Sequence, residues 1–195
     1  MLLVAHLNMR NKKLTRFLTI LFFLYVLIAE TSCSGKGYSR QETIDNFKKR
    51  EKEILTLADY FTTLKPNCNE IFFEPEGNRY TISIAPADWA ILPEHPYKAG
   101  SNMKINSVEM ASFLKTLDWT TKTILTLKDM LNKANCKSIS THDDYLQLDF
   151  GSGDVCSFWY IISQEPFPDS VIEQHTKAGV TVLTKNVRIG SSCSL

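Results

Sequence analysis

The chain has 195 residues, with 22 Lys plus Arg against 21 Asp plus Glu, a formal charge of +1, 44% hydrophobic residues and 11 Phe, 7 Tyr and 3 Trp. That apolar content supplies an ordinary globular core and excludes an intrinsically disordered or collagen-like chain. The near-neutral balance argues against a nucleic-acid binder, which needs an excess of cations to pair with phosphates.

The amino-terminal segment has the layout of a secretory signal. Arg10, Lys12, Lys13 and Arg16 precede an apolar run from Phe17 to Ala29 that only Thr19 interrupts. The run covers 13 residues, short of the roughly 20 a helix needs to cross the hydrocarbon core. Met9 stands directly before the basic stretch, so either Met1 or Met9 can serve as the start. Thr31-Ser32-Cys33-Ser34 has the form of a lipobox, with Cys33 the residue that would be acylated, although Glu30 stands where such signals carry Leu. The expected organisation is a signal over 1–32, a short tether over 33–41 and one domain over 42–195. Cleavage after Ser34, giving a soluble secreted protein, and an uncleaved anchor are the alternatives. Loss of residues 1–32 leaves 18 basic against 20 acidic side chains, a formal charge of about −2. Membrane attachment would therefore rest on the lipid chain rather than on anionic headgroups.

If Cys33 carries lipid, Cys68, Cys136, Cys156 and Cys193 remain and allow two disulfides in three connectivities. An oxidising envelope compartment would let them form. No C-x-x-C spacing occurs and no His lies at ligand spacing from a Cys, so neither a metal nor a cofactor is expected.

From Glu42 to Leu64, apolar residues recur at helical spacing through Ile44, Phe47, Ile54, Leu57, Ala58 and Phe61, and Pro66-Asn67 ends the helix. A strand around Ile71 to Glu74, a turn at Glu76-Gly77-Asn78 and a strand from Arg79 to Ala85 follow. Pro86 to Asn106 shows no clear element and holds Trp89, His95 and Tyr97; a connection of that length is usually functional or poorly ordered. A short helix to Leu117 and a second from Thr121 to Ala134 flank Asp118-Trp119-Thr120. Then come a strand from Lys137, a turn at His142-Asp143-Asp144 and a strand from Tyr145 to Phe150. Asn67-Cys68-Asn69-Glu70-Ile71 matches Asn135-Cys136-Lys137-Ser138-Ile139 at three of five positions, each leaving a helix for a strand, which suggests a degenerate α-β-β duplication. A strand from Val155 to Ser163, a helix over Ser170 to Lys177 capped by Asp169, and a hairpin around Lys185-Asn186 complete the chain. The order predicts an α+β domain with one largely antiparallel sheet and helices packed on one face.

Alternation puts Ile82, Ile84, Leu146, Leu148, Phe150, Phe158, Tyr160 and Ile162 under the helices. The other face would carry Arg79, Thr81 and Ser83, then Tyr145, Gln147 and Asp149, then Ser157 and Trp159. Any one-sided antiparallel sheet has such a face, but Arg79, Tyr145, Asp149 and Trp159 make it a candidate docking surface beside Trp89, His95 and Tyr97. No catalytic residue can be named: His95, His142 and His175 lie in separate segments, and no serine or cysteine sits in a nucleophile motif. His142-Asp143-Asp144 and Glu74-Pro75-Glu76 offer oxygen ligands without Ca²⁺-loop spacing and read as polar turns.

Leu117-Asp118-Trp119-Thr120, Lys133-Ala134-Asn135-Cys136, Phe158-Trp159-Tyr160, Pro166, Pro168-Asp169-Ser170 and the closing Val180 to Gly190 hairpin resemble uncharacterised lipoproteins of Bacteroidota. The resemblance covers most of the chain after Cys33 and implies a bacterial cell-envelope location, lipid-anchored on the periplasmic or surface side. It supplies no activity. The expectation is an envelope-anchored or secreted non-enzymatic module, held to the membrane by its lipid and binding an unknown protein or glycan but no nucleic acid. A periplasmic immunity-type inhibitor of a toxin is the alternative, and a hydrolase using His95 the third reading.

Overall fold

The computed structural model describes residues 38–64, 68–86, 98–142, 144–152 and 156–193. Cys33, the signal, Trp89, His95 and Tyr97 lie outside the described residues. The compact unit opens at Tyr38, inside the stretch expected to be a tether. Tyr38 meets Phe150 edge-on at 5.0 Å and fills the space left by the missing side chain of Gly151.

Helix α1 spans Arg40–Thr63 and starts at a capping box in which the Ser39 hydroxyl accepts from the Glu42 amide while Glu42 accepts from the Ser39 amide. Its buried stripe runs through Phe47, Ile54, Leu57, Ala58 and Phe61. Strands β1 (Cys68–Glu76) and β2 (Arg79–Pro86) form a hairpin in which Gly77 takes φ +56°, a left-handed value that glycine adopts without steric cost. Strand β3 covers Lys98–Lys104, within the segment expected to lack an element. Only Gly100 and Met103 of β3 are buried, so apolar alternation was missing there. Gly100 is needed because a Cβ would strike Met103 and Phe113.

Helices α2 (Val108–Leu117) and α3 (Thr121–Ala134) start at Ser107 and Thr120 caps and end on left-handed Asp118 and Asn135. Buried Trp119 lies between them, packs against Phe61 and Phe73, and donates from Nε1 to the Leu64 carbonyl at 3.2 Å, satisfying an orphan acceptor at the end of α1. Strands β4 (Ser138–Thr141), β5 (Tyr145–Ser152) and β6 (Cys156–Ser163) form a second meander. Helix α4 (Asp169–Lys177), β7 (Thr181–Val182) and β8 (Val187–Cys193) follow. Asp169 is the first residue of α4 rather than its cap: Pro168 holds that position and only its carbonyl closes the first turn.

The described residues form an α+β fold around an eight-stranded sheet in the order β3-β2-β1-β4-β5-β6-β8-β7, every pairing antiparallel. The order reads outward in both directions from the β1·β4 contact, and each central strand follows a long helix. The α-β-β repeat expected from the sequence is thus, in connectivity, a helix followed by a three-stranded meander, twice. Ile71, Phe73, Ile82, Ile139, Leu148, Tyr160 and Val187 line one face and join α1, α2 and α3 in a single core. Within it the Tyr160 hydroxyl donates to the Thr43 carbonyl at 2.8 Å and accepts from Asn46 Nδ2 at 2.9 Å. Asn46 also donates to the Ala134 carbonyl at 3.2 Å, which ties α1 to the end of α3.

Cys156 and Cys193 face each other across β6 and β8 and form a disulfide with sulfurs 2.10 Å apart. Cys136 does not join a bridge; it is a buried free thiol whose pKa burial pushes up to about 12, with Asp149 adding to the rise and Arg50 opposing it. The Cys68 side chain lies outside the described residues. Among the described residues no helix is long and apolar enough to cross a membrane.

Candidate functional site

Because α1, α2 and α3 all pack on one side, the other face of β3, β2, β1, β4 and β5 is uncovered by them. Pleat alternation turns polar and small residues outward there. A concavity of ≈ 510 Å³ lies on this face. Glu70 and Phe72 reach it from β1, and Thr81 and Ser83 from β2. Ser140 comes from β4, His142 follows that strand directly, and Gln147 enters from β5, while Ala99 and Ser101 close the β3 side.

The register explains this gathering. Phe72 stands opposite Ser83 on one side and Ser140 on the other, and Ser140 stands opposite Gln147. One cross-strand row thus places an aromatic ring between two hydroxyls and an amide. Next to it, His142 Nδ1 lies 3.7 Å from Glu70 Oε1, and His142 Nε2 lies 3.4 Å from Ser140 Oγ. The His142 ring stacks on Tyr145 with centroids 4.7 Å apart.

Ser140, His142 and Glu70 have the composition of an acyl-transfer triad, yet the surroundings lack what such a triad needs. Ser140 sits inside a central strand paired on both sides, where its backbone amide belongs to the ladder instead of an oxyanion hole. Both separations are also long for a working nucleophile, base and orienting acid. His142, directly after β4, thus contributes its ring to the sheet face. No group of three or more His, Cys, Asp or Glu among the described residues could hold a metal.

Of the residues singled out from sequence, Arg79, Tyr145, Asp149 and Trp159 are described, and none of the four lines the concavity. Asp149 accepts from Ser138 Oγ at 2.6 Å and from Gln147 Nε2 at 2.9 Å. It lies near Glu74, whose pKa is raised first by burial, then by Asp149 and Glu76, with Lys137 opposing. Tyr145 backs His142. Trp159 lies across Gly190, where a Cβ would collide with its indole. Arg79 donates to the Asn102 carbonyl at 3.0 Å and borders a smaller hollow of ≈ 390 Å³ with Lys104 and Lys128. Beyond Trp159, the Arg188 guanidinium lies over Phe167 and against His175 of α4. The β6-β8-β7 end is therefore partly occupied by the protein's own side chains.

Sequence reasoning put Thr81, Ser83 and Gln147 on the outward face but did not single them out, and it missed Glu70, Phe72 and Ser140. Outward alternation was the available signal; the alignment of β1 with β4 was not. Comparison with known proteins finds no matching family model, no matching curated protein and no matching solved structure.

Proposed function

We propose that the protein is a non-enzymatic binding module of the bacterial envelope, anchored through a lipid on Cys33 or secreted, which takes its partner on the open sheet face. The observation that carries the reading is a concavity left open by the described residues, where Phe72 and His142 stand among serine and threonine side chains, on a sheet whose other face holds the described core. The signal-like segment ending at Cys33 supports the location.

Two measurements test it. A photo-crosslinking residue at Ser140 should yield adducts in an envelope preparation, whereas the same residue at exposed Lys122 of α3 should yield none. Equal labelling at both positions, or none at either, would overturn the docking reading. A single tight protein adduct would favour a toxin inhibitor. Intact mass of the membrane fraction should show a diacylated chain starting at Cys33, and a chain starting at Gly35 without lipid would replace the anchor with free secretion.

A further inference from the structure

The docking reading leaves the chemistry of the partner open, and the lining of the concavity narrows it. The Ser83 hydroxyl makes no hydrogen bond to another described residue and opens into the concavity, while the only buried side-chain nitrogen or oxygen left unpartnered among the described residues is Arg188 Nε. The hydroxyls of Thr81 and Ser101, which also line the concavity, likewise make no hydrogen bond to another described residue. Hydroxyls that the protein leaves unengaged and open to solvent can exchange water for the hydroxyls of a ligand.

These groups share a character. Serine and threonine hydroxyls both donate and accept, so they suit a ligand that does the same. Phe72 offers an apolar surface beside them, on which a flat C–H face can rest. Charge sets a further limit. Among the described residues Glu70 is the one carboxylate lining the concavity and no Lys or Arg lines it, so phosphorylated, sulfated or uronic ligands would meet a like charge there. An extended peptide would look for free backbone amides, but β2, β1 and β4, which form the floor, are each paired on both sides. The volume of ≈ 510 Å³ suits a small ligand or a short stretch of a chain, within the roughly 300–1,000 Å³ of ordinary ligand sites.

From this chemistry we infer that the concavity binds a neutral saccharide, with Phe72 under a sugar ring and Ser83, Thr81 and Gln147 bonded to its hydroxyls. The inference rests on the docking reading and deepens it.

The test is amide-resolved NMR titration of residues 35–195 and of the full processed protein with cellotetraose, maltotetraose, xylotetraose, mannotetraose and chitotetraose, using tetragalacturonate as the acidic control. At least one neutral tetrasaccharide should shift the amides around Phe72, Ser83 and Ser140. Ser83→Ala and Thr81→Val should leave the fold unchanged, since neither hydroxyl makes a hydrogen bond to another described residue, and each should weaken that binding by about tenfold. Ser157→Ala, on β6 outside the concavity, should leave it unchanged. Silence from all five up to about 10 mM, equal binding of the acidic control, or indifference to both variants would overturn the inference. Protein adducts from position 140 together with such silence would remove the saccharide and keep the docking face; loss of both signals would remove both.

Discussion

The two faces of the sheet are made by the same strands and obey opposite rules. On the covered face, alternate residues are large and apolar, and the hydroxyl of fully buried Tyr160 is bonded to both Thr43 and Asn46. On the open face, the Ser83 hydroxyl makes no hydrogen bond to another described residue and opens into the concavity. A polar group that holds the fold is satisfied within the molecule, whereas one that waits for a partner is not. The comparison teaches where to look for function: the covered face should be read out in stability and the open face in binding.

Substitutions can break or sharpen that contrast. The largest effect is expected from Phe73→Ala on the covered face, where a fully buried ring contacts Tyr80 and Trp119. Chemical denaturation should show a loss of about 3–5 kcal/mol. Next is removal of the Cys156–Cys193 bridge, whose partners are 37 residues apart. The double serine variant should lose roughly 2–4 kcal/mol. In the same experiment, thiol titration of the native wild-type protein should leave Cys136 unlabelled at neutral pH, because burial keeps its thiol protonated. Tyr160→Phe removes the hydrogen bonds to the Thr43 carbonyl and from Asn46 Nδ2, and thermal melts should report a cost of about 1–3 kcal/mol.

The smallest effect belongs to the open face. Burial, Asp149 and Glu76 raise the pKa of Glu74, so the folded state holds its proton more tightly than the unfolded chain. Its contribution is favourable below the unfolded carboxylate pKa and is lost as pH rises through the folded value. Glu74→Gln should therefore raise the melting temperature at pH 7 by on the order of 1 °C, and the gain should vanish near pH 3. A loss at pH 7 would show that Lys137 outweighs the crowding of carboxylates.

Much of this contrast was legible in the sequence, because period-two alternation in β2, β5 and β6 separates Ile82, Leu148 and Tyr160 from Thr81, Gln147 and Trp159 without any tertiary information. The start of α1 was equally written in Ser39-Arg40-Gln41-Glu42, a capping-box pattern that a search for apolar periodicity alone passes over. Strand β3 was hidden because glycine and methionine do its packing. The site itself was hidden for a different reason. Glu70, Ser140 and His142 converge only through the pairing of β1 with β4, a long-range register that local pattern does not encode.

That β1·β4 contact also governs when the molecule can form. Three strands of the first meander are complete by Lys104, but the sheet cannot close across its middle until β4, beginning at Ser138, is present. The far end waits longer still, since β8 inserts between β6 and β7 and carries Cys193 to its bridge in the last stretch of chain. Pairings so distant in sequence demand closure of long loops before contacts compensate for it, which slows folding. A growing chain of this kind therefore holds only part of its sheet until β4 is made, and the full eight strands assemble only once β8 is present.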